Sequence, residues 1–556
     1  MFTCLRKEIR KRVYWNNSQL TLAIGGFFFL YMLLLTYNIP YFWEDLLFLE
    51  GAYSQPRATL LAQTFTLGTG NFSHPGVPLL LLLLNAITAI VGEHALLFRI
   101  VRSLFFSGIL VFFYILLRKF DIPRTSALVM TTVAGFSYPL FLTTFFIPRP
   151  EIFGIFWEYC GLILFFHIFF EGDKLTKQSR YLHQAGCFIL LFIAMKMFSP
   201  SYFIIPVLII FILVMNYRKI KTFAILILLL TAVYFPLSTK IIHGNVGSYT
   251  LGTESFNYMF SLGNTWSFFS FNNLYYKTVF EILSPFGLFV IVFGLCGVLY
   301  LMVLRINKKE EKILPWSNLK EKGFVVFMCL MVLFNVIFIF AAPDPATRYM
   351  VFFIMPVLSL MVFFMYKGIQ LFQMKKKFRT IFTLLLIICL CLMVTYNIAL
   401  SVMFRFTWGS AFIGMDKVSS FIESLPDEKR ALFYYSGTPA DEYAPIILVN
   451  GTFIERNNTL IFEKYWQEQV NREEFAQVNE EKQAAVYIAK RVSSFGSSSY
   501  PPYNFTDQEF TLVTTIEGEN SILDRFFLKI TNSLGVSYDF NTFYIYKWVG
   551  NNRNYL

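Results

Sequence analysis

Up to about residue 404 the chain does not alternate between polar and apolar positions. It gathers its apolar residues into long blocks separated by short polar breaks. Blocks near the ~20 residues that cross a bilayer as a helix recur many times. They predict spans at 19–39, 98–117, 125–147, 152–170, 183–199, 201–217, 222–240, 279–304, 324–342, 350–366 and 380–403. A shorter apolar stretch occupies 76–92. From about residue 405 the pattern changes. Alternating runs at 431–435, 485–489 and 542–549 read as strands, and the polar stretch 463–481 reads as helical. The expectation is a polytopic α-helical membrane protein over 1–404, followed by a soluble α/β domain over 405–556.

Composition narrows the class. The chain is 56% hydrophobic and 15% charged, with 67 phenylalanines among 556 residues. A soluble domain carries roughly 25% charge, and no water-soluble surface hides this much apolar area. A soluble enzyme, a disordered chain and a small disulfide scaffold are excluded. All seven cysteines precede residue 405, so the C-terminal domain uses no disulfide, and no zinc-type Cys/His spacing occurs.

Charge then threads the chain. Basic clusters stand at Arg6–Arg12, Arg118–Arg124, Lys174–Arg180, Arg218–Lys221, Arg305–Lys312 and Lys375–Arg379. If 76–92 does not cross, all of them fall on one side, which the positive-inside rule makes the cytoplasm. The stretch 76–92 is therefore read as lying at, or dipping into, the outer interface. This gives about eleven spans, an inner N-terminus, an outer C-terminal domain and a first outer loop over about 40–97. The net charge of +12 is then a topology signal, and nucleic acid is not an expected partner.

On the outer side charges are few, so each is informative. Glu44 and Asp45 stand side by side after the first span. One can act as a general base, or either can simply cap the next helix. His74 lies in a Pro- and Gly-rich turn, as a plain turn residue or a polar contact to a phosphate or sugar. Arg149 and Glu151 share the short second outer loop, as an interfacial ion pair or as part of a pocket. Arg348, followed by Tyr349, precedes the tenth span. It snorkels to headgroups or clamps a lipid-linked phosphate, which guanidinium forks fit well. Lys196, near the outer end of the fifth span, is a second candidate for that clamp. Arg99 and Arg102 are weaker ones. No phosphate-binding loop and no dinucleotide fingerprint occur.

Taken in order, these residues resemble the GT-C superfamily of membrane glycosyltransferases. The resemblance spans the first helix to about residue 366. It rests on Glu44-Asp45, His74-Pro75, Gly92 followed by Arg99, Glu151, Arg348-Tyr349 and Pro356. It is most similar to the branch of protein O-mannosyltransferases and the lipid A aminoarabinose transferase. That branch writes the first pair as Asp-Glu and often has Asp in the second loop. The reversed order here leaves open which carboxylate is the base. The resemblance implies a polyprenyl-phosphate or dolichyl-phosphate sugar donor and an acceptor hydroxyl on a glycan, lipid or protein. It implies inverting attack assisted by Asp45 or Glu44, with Arg348, Arg149 and Lys196 stabilising the departing phosphate. His74, Glu151 and Tyr349 would line the substrate pocket. A divalent metal held by Glu44, Asp45 and Glu151 is compatible with the resemblance but not required by it.

Three rivals compete. A transporter or flippase predicts ionisable residues near mid-membrane and inverted repeats. A glycan polymerase or ligase predicts Arg-rich outer loops. A scaffold predicts tolerance of substitution at the carboxylate pair. A bacterial inner membrane with a periplasmic C-terminus is the expected location. The alternative is the ER membrane with a lumenal C-terminus, because N-glycosylation triplets such as that at Asn71 lie on the outer side.

Overall fold

This computed structural model describes residues 17–36, 77–91, 95–145, 150–197, 201, 203–243, 318–341, 351–371 and 376–405. Of the remainder it describes 417–418, 421–422, 424–426, 429–436, 454–456, 459–465, 472–491, 509–517, 525, 529 and 542–550. The chain divides into two compact units, Met1–Leu33 with Trp43–Ser401, and Leu34–Phe42 with Val402–Leu556.

The first unit is helical. Its helices are α1 (Asn17–Thr36), α2 (Val77–Val91), α3 (Ala95–Lys119), α4 (Arg124–Gly135), α5 (Tyr138–Phe145) and α6 (Pro150–Glu171). They continue with α7 (Lys177–Met197), α8 (Ile204–Asn216), α9 (Ile220–His243), α10 (Leu319–Ala341), α11 (Val351–Leu371) and α12 (Lys376–Phe404). Among the described residues, four helices are long and apolar enough to cross a membrane: Ser18–Thr36, Arg99–Lys119, Glu151–Lys174 and Thr383–Val402. Counting α4 and α5 as one broken span makes five. The expected span 279–304 lies outside the described residues. The α2 helix has 15 residues, about 22 Å at 1.5 Å per residue, short of the ~30 Å hydrocarbon core.

The expected span at 125–147 is a helix pair bent by 54°. Its break has a local cause. Pro139 has no N–H, and a proline is accommodated in the first turn of a helix, so a new helix begins just before it. The Ser137 N–H and hydroxyl both donate to Ala134 O, closing the first segment. The Tyr138 N–H, left free by the break, donates to Asn397 Oδ1 of α12 at 3.0 Å.

Small residues let helices approach closely. A Cβ on Gly108 of α3 would stand 2.6 Å from the Phe156 ring of α6. One on Gly161 of α6 would stand 2.7 Å from Leu191 of α7. Apolar side chains also face outward: Leu22 is 78% exposed and Leu228 is 69% exposed. Such faces suit a lipid surround better than water.

Ion pairs join one set of helix ends. Lys119 at the end of α3 is 3.4 Å from Glu171 at the end of α6. Lys219, between α8 and α9, is 3.3 Å from Asp173, just past α6. Lys320 at the start of α10 is 3.2 Å from Asp121, just past α3. Lys367 of α11 is 2.9 Å from Glu321 of α10. Each end is one that the basic clusters assign to the cytoplasm. Exposed pairs add little stability, about 0–1 kcal/mol, so the exposed ones mainly report which ends lie together.

The second unit holds a six-stranded sheet. Its strands are β1 (Arg430–Ser436), β2 (Ile454–Arg456), β3 (Thr459–Tyr465), β4 (Ala485–Arg491), β5 (Phe510–Glu517) and β6 (Thr542–Trp548), in the order β2-β3-β1-β4-β6-β5. The three central strands β3, β1 and β4 are parallel, and the outer pairings are antiparallel. Helix α13 (Arg472–Lys482) links β3 to β4. Phe475 and Val478 of α13 pack on Phe433, Val486 and Ile488 on one face. Val418 and Ile422 pack on Leu432, Tyr487 and Ile545 on the other. Both faces are therefore covered, as a parallel sheet requires.

The three expected strands are present. The expected helix at 463–481 is not one element: residues 463–465 finish β3, and α13 begins only at Arg472. The run Leu460-Ile461-Phe462 is strongly β-forming, and pairing with β1 carries the strand into the polar residues that follow.

Candidate functional site

At the ends opposite the ion pairs, charge is buried. Arg99 and Arg102 sit one turn apart at the start of α3 and are each 2% exposed. Arg99 donates to Phe145 O and Arg102 to Thr143 O, both at 2.6 Å. These carbonyls belong to the last turn of α5, where no intrahelical partner exists and the helix dipole is negative. The two arginines therefore cap α5. Arg99 also lies 5.7 Å from the Phe145 ring centroid. The sequence marked both residues only as weak phosphate ligands, and capping gives them a positioning role.

Glu151 stands in the first turn of α6 and is 5% exposed. A carboxylate there favours the positive end of the helix dipole. Lys196 lies in the last turn of α7, where a cation is likewise favoured, and it is fully buried. Both residues are partnered. The interfacial ion pair expected with Arg149 involves a residue outside the described ones.

A fifth buried ionisable side chain was not among the candidates from the sequence. Glu158 is 1% exposed, and its Oε2 accepts a hydrogen bond from Ser201 Oγ at 2.6 Å. It lies seven residues after Glu151, on the same side of α6 and about 10 Å further along the axis. An acid inside the apolar run 152–170 was the available signal.

The other candidates, Glu44, Asp45, His74, Arg149, Arg348 and Tyr349, lie outside the described residues. Lys196 and Glu151 are thus the two expected site residues that the structure describes. Among the described residues no group of three or more His, Cys, Asp or Glu side chains could hold a metal ion. Of the three carboxylates expected to share one, only Glu151 is described.

No known protein family matches the chain, and no curated protein matches it significantly.

Proposed function

We propose that this chain is a GT-C-type glycosyltransferase that moves a sugar from a polyprenyl-phosphate donor to an acceptor hydroxyl at the outer membrane face. The observation that carries this reading is the burial of Lys196 and Glu151 at one set of ends of packed helices in an apolar bundle. Charges held inside such a bundle are costly and mark a substrate path by default. A lipid-linked phosphate enters from the membrane and meets cations there.

In the proposed step a carboxylate, Asp45 or Glu44, takes the acceptor hydroxyl proton. The hydroxyl oxygen bonds to the anomeric carbon as the bond from that carbon to the phosphate oxygen breaks. Polyprenyl phosphate leaves with the electron pair, and the anomeric centre inverts. Arg348, Arg149 and Lys196 stabilise its charge. His74, Glu151 and Tyr349 line the pocket. The acceptor is a glycan, a lipid or a protein. No step here is routed through a metal, although Glu44, Asp45 and Glu151 are the oxygen ligands a divalent ion would use. The reading includes about eleven spans and a C-terminal α/β domain at the outer face. It places the protein in a bacterial inner membrane with that domain in the periplasm, or in the ER membrane with it in the lumen.

Glu158 favours one rival specifically. A buried acid roughly 10 Å into a span is what a proton-coupled transporter would carry. Purified protein given radiolabelled polyprenyl-phosphate sugars and a membrane-lipid extract separates the two. The transferase reading expects release of polyprenyl phosphate that falls at least ~100-fold in Glu44→Gln or Asp45→Asn, given the 10²–10⁴-fold typical of base assistance. Release unchanged in both variants would remove the carboxylate pair from the mechanism. Sugar-lipid movement across vesicles without bond cleavage, lost in Glu158→Gln, would establish the transporter.

A further inference from the structure

Two of the chain's five histidines meet at the helix ends that the ion pairs join. His167 of α6 and His183 of α7 have ring centroids 5.3 Å apart. From Gly161 to Phe170 every other residue of α6 is apolar. Packing alone gives no reason for a ring nitrogen in that run.

The Nδ1 of His167 stands between opposite charges. Lys119 Nζ of α3 lies 3.1 Å from it, and Glu171 Oε2, one turn on along α6, also lies 3.1 Å from it. Lys119 and Glu171 are themselves 3.4 Å apart. An ammonium only donates and a carboxylate only accepts, so one nitrogen cannot serve both at once. With its proton on Nε2, neutral His167 accepts from Lys119. Once protonated, the ring carries a hydrogen on Nδ1, which donates to Glu171 and faces Lys119 as a second cation. The two protonation states make opposite contacts from the same place.

The neighbours on each packed helix complete the picture. The Nδ1 of His183 lies 2.7 Å from Ser179 O, which only accepts, so that nitrogen holds a proton in both states. Arg180 precedes His183 by one turn of α7. On α3, Arg118 donates to Ile122 O. Lys320 of α10 pairs with Asp121, and Lys219 pairs with Asp173. The charged groups that act on His167 are Lys119, Glu171 and His183. The His167 side chain is 23% exposed. That lets water deliver a proton, yet leaves the charges around the ring only partly screened.

We propose that His167 is a proton-operated latch between α3 and α6, which holds Lys119 when neutral and releases it to pair with Glu171 when protonated. The latch acts on the helix that caps α5 from its other end, through Arg99 and Arg102. The inference does not depend on the transferase reading, because it concerns how two helix ends are held and is read out without turnover.

The test uses the full chain in lipid nanodiscs with nitrogen-15 histidine, whose NMR shifts report which ring nitrogen carries a proton. The His167 signal is assigned by its loss on substitution. His167→Asn keeps an acceptor near the Nδ1 position but cannot be protonated. Hydrogen exchange over 117–122, corrected for the intrinsic rate at each pH, reports how firmly the end of α3 is held. In wild type the expected result is a bare Nδ1 at about pH 8 and a doubly protonated ring at about pH 5, the range in which histidine titrates. Protection over 117–122 should be lower by at least about threefold at the acid end. In His167→Asn it should be the same at both ends. A proton already on Nδ1 at about pH 8 would overturn the latch, and so would a ring still neutral at about pH 5. Protection that ignores the ring's titration, or that varies equally in His167→Asn, would also overturn it. If thermal unfolding shows that the asparagine variant is not folded, Lys119→Met takes its place. With no ammonium to release, protection should then no longer follow the ring, and protection that still did would refute the proposal.

Discussion

Lys367 Nζ lies 2.9 Å from both carboxylate oxygens of Glu321, and both side chains are buried. The pair joins α11 to α10 at the ends where the other ion pairs lie. Removing one partner leaves a buried charge without its counter-ion. Glu321→Leu or Lys367→Met is therefore expected to cost about 3–5 kcal/mol. The double variant should recover most of that loss, because an apolar pair of similar volume is often as stable. Thermal unfolding in detergent measures all three. A double variant no better than the singles would show that the pair is not the cause.

Close helix contact at Gly161 predicts overpacking. In Gly161→Ala the new methyl must displace Leu191, at a cost of about 1–3 kcal/mol. Adding Leu191→Ala should return part of the loss, since the two sites share one space. The same unfolding assay reads the coupling, and strict additivity would contradict it.

Burial of Lys196 in the last turn of α7 predicts a functional effect. Lys196→Met is expected to lower donor turnover by about 100-fold, the scale seen when one preorganised donor to developing charge is lost. Lys196→Arg should keep a larger share because it keeps the cation. Kinetics of polyprenyl phosphate release tests this, and a fully active Lys196→Met would remove the residue from the site.

The sheet core rests on Phe433, fully buried and 4.6 Å from the Phe475 ring centroid in an edge-to-face contact. Phe433→Ala is expected to cost about 3–5 kcal/mol. Limited proteolysis should show earlier cleavage after residue 430 in the variant than in wild type. An unchanged pattern would refute the contact as a main support.

Sidedness can be read chemically. Asp173→Cys and Lys320→Cys, each in a chain whose own cysteines are replaced, should both be blocked from the cytoplasmic side and untouched by an impermeant thiol reagent added outside. Opposite labelling of the two would break the threading, because their helix ends share one ion-paired layer.

Some parts of the fold are written plainly in the sequence and others are not. Helices were legible because apolar runs of membrane length have few alternatives. The break at Ser137-Tyr138-Pro139 was visible only as a proline, and its bend depends on Asn397, whose side chain no local pattern ties to Tyr138. Strands β1, β4 and β6 alternate or are apolar enough to stand out. The last residues of β3 are polar, and they are strand because β1 pairs with them. At the candidate site, Glu151 and Lys196 were legible as charges at loop edges. Glu158 was hidden because it sits within an apolar run and not at a loop edge.

The bend between α4 and α5 has a consequence for biogenesis. Its exposed peptide N–H is satisfied by a residue 259 positions later in the chain. A ribosome delivers the broken segment long before it delivers Asn397. Until then that amide must borrow a partner, from water at a thinned bilayer, from the insertion machinery or from a chaperone. Insertion of the early helices and completion of their shape are thus separate events in time, with α12 acting as the closing step.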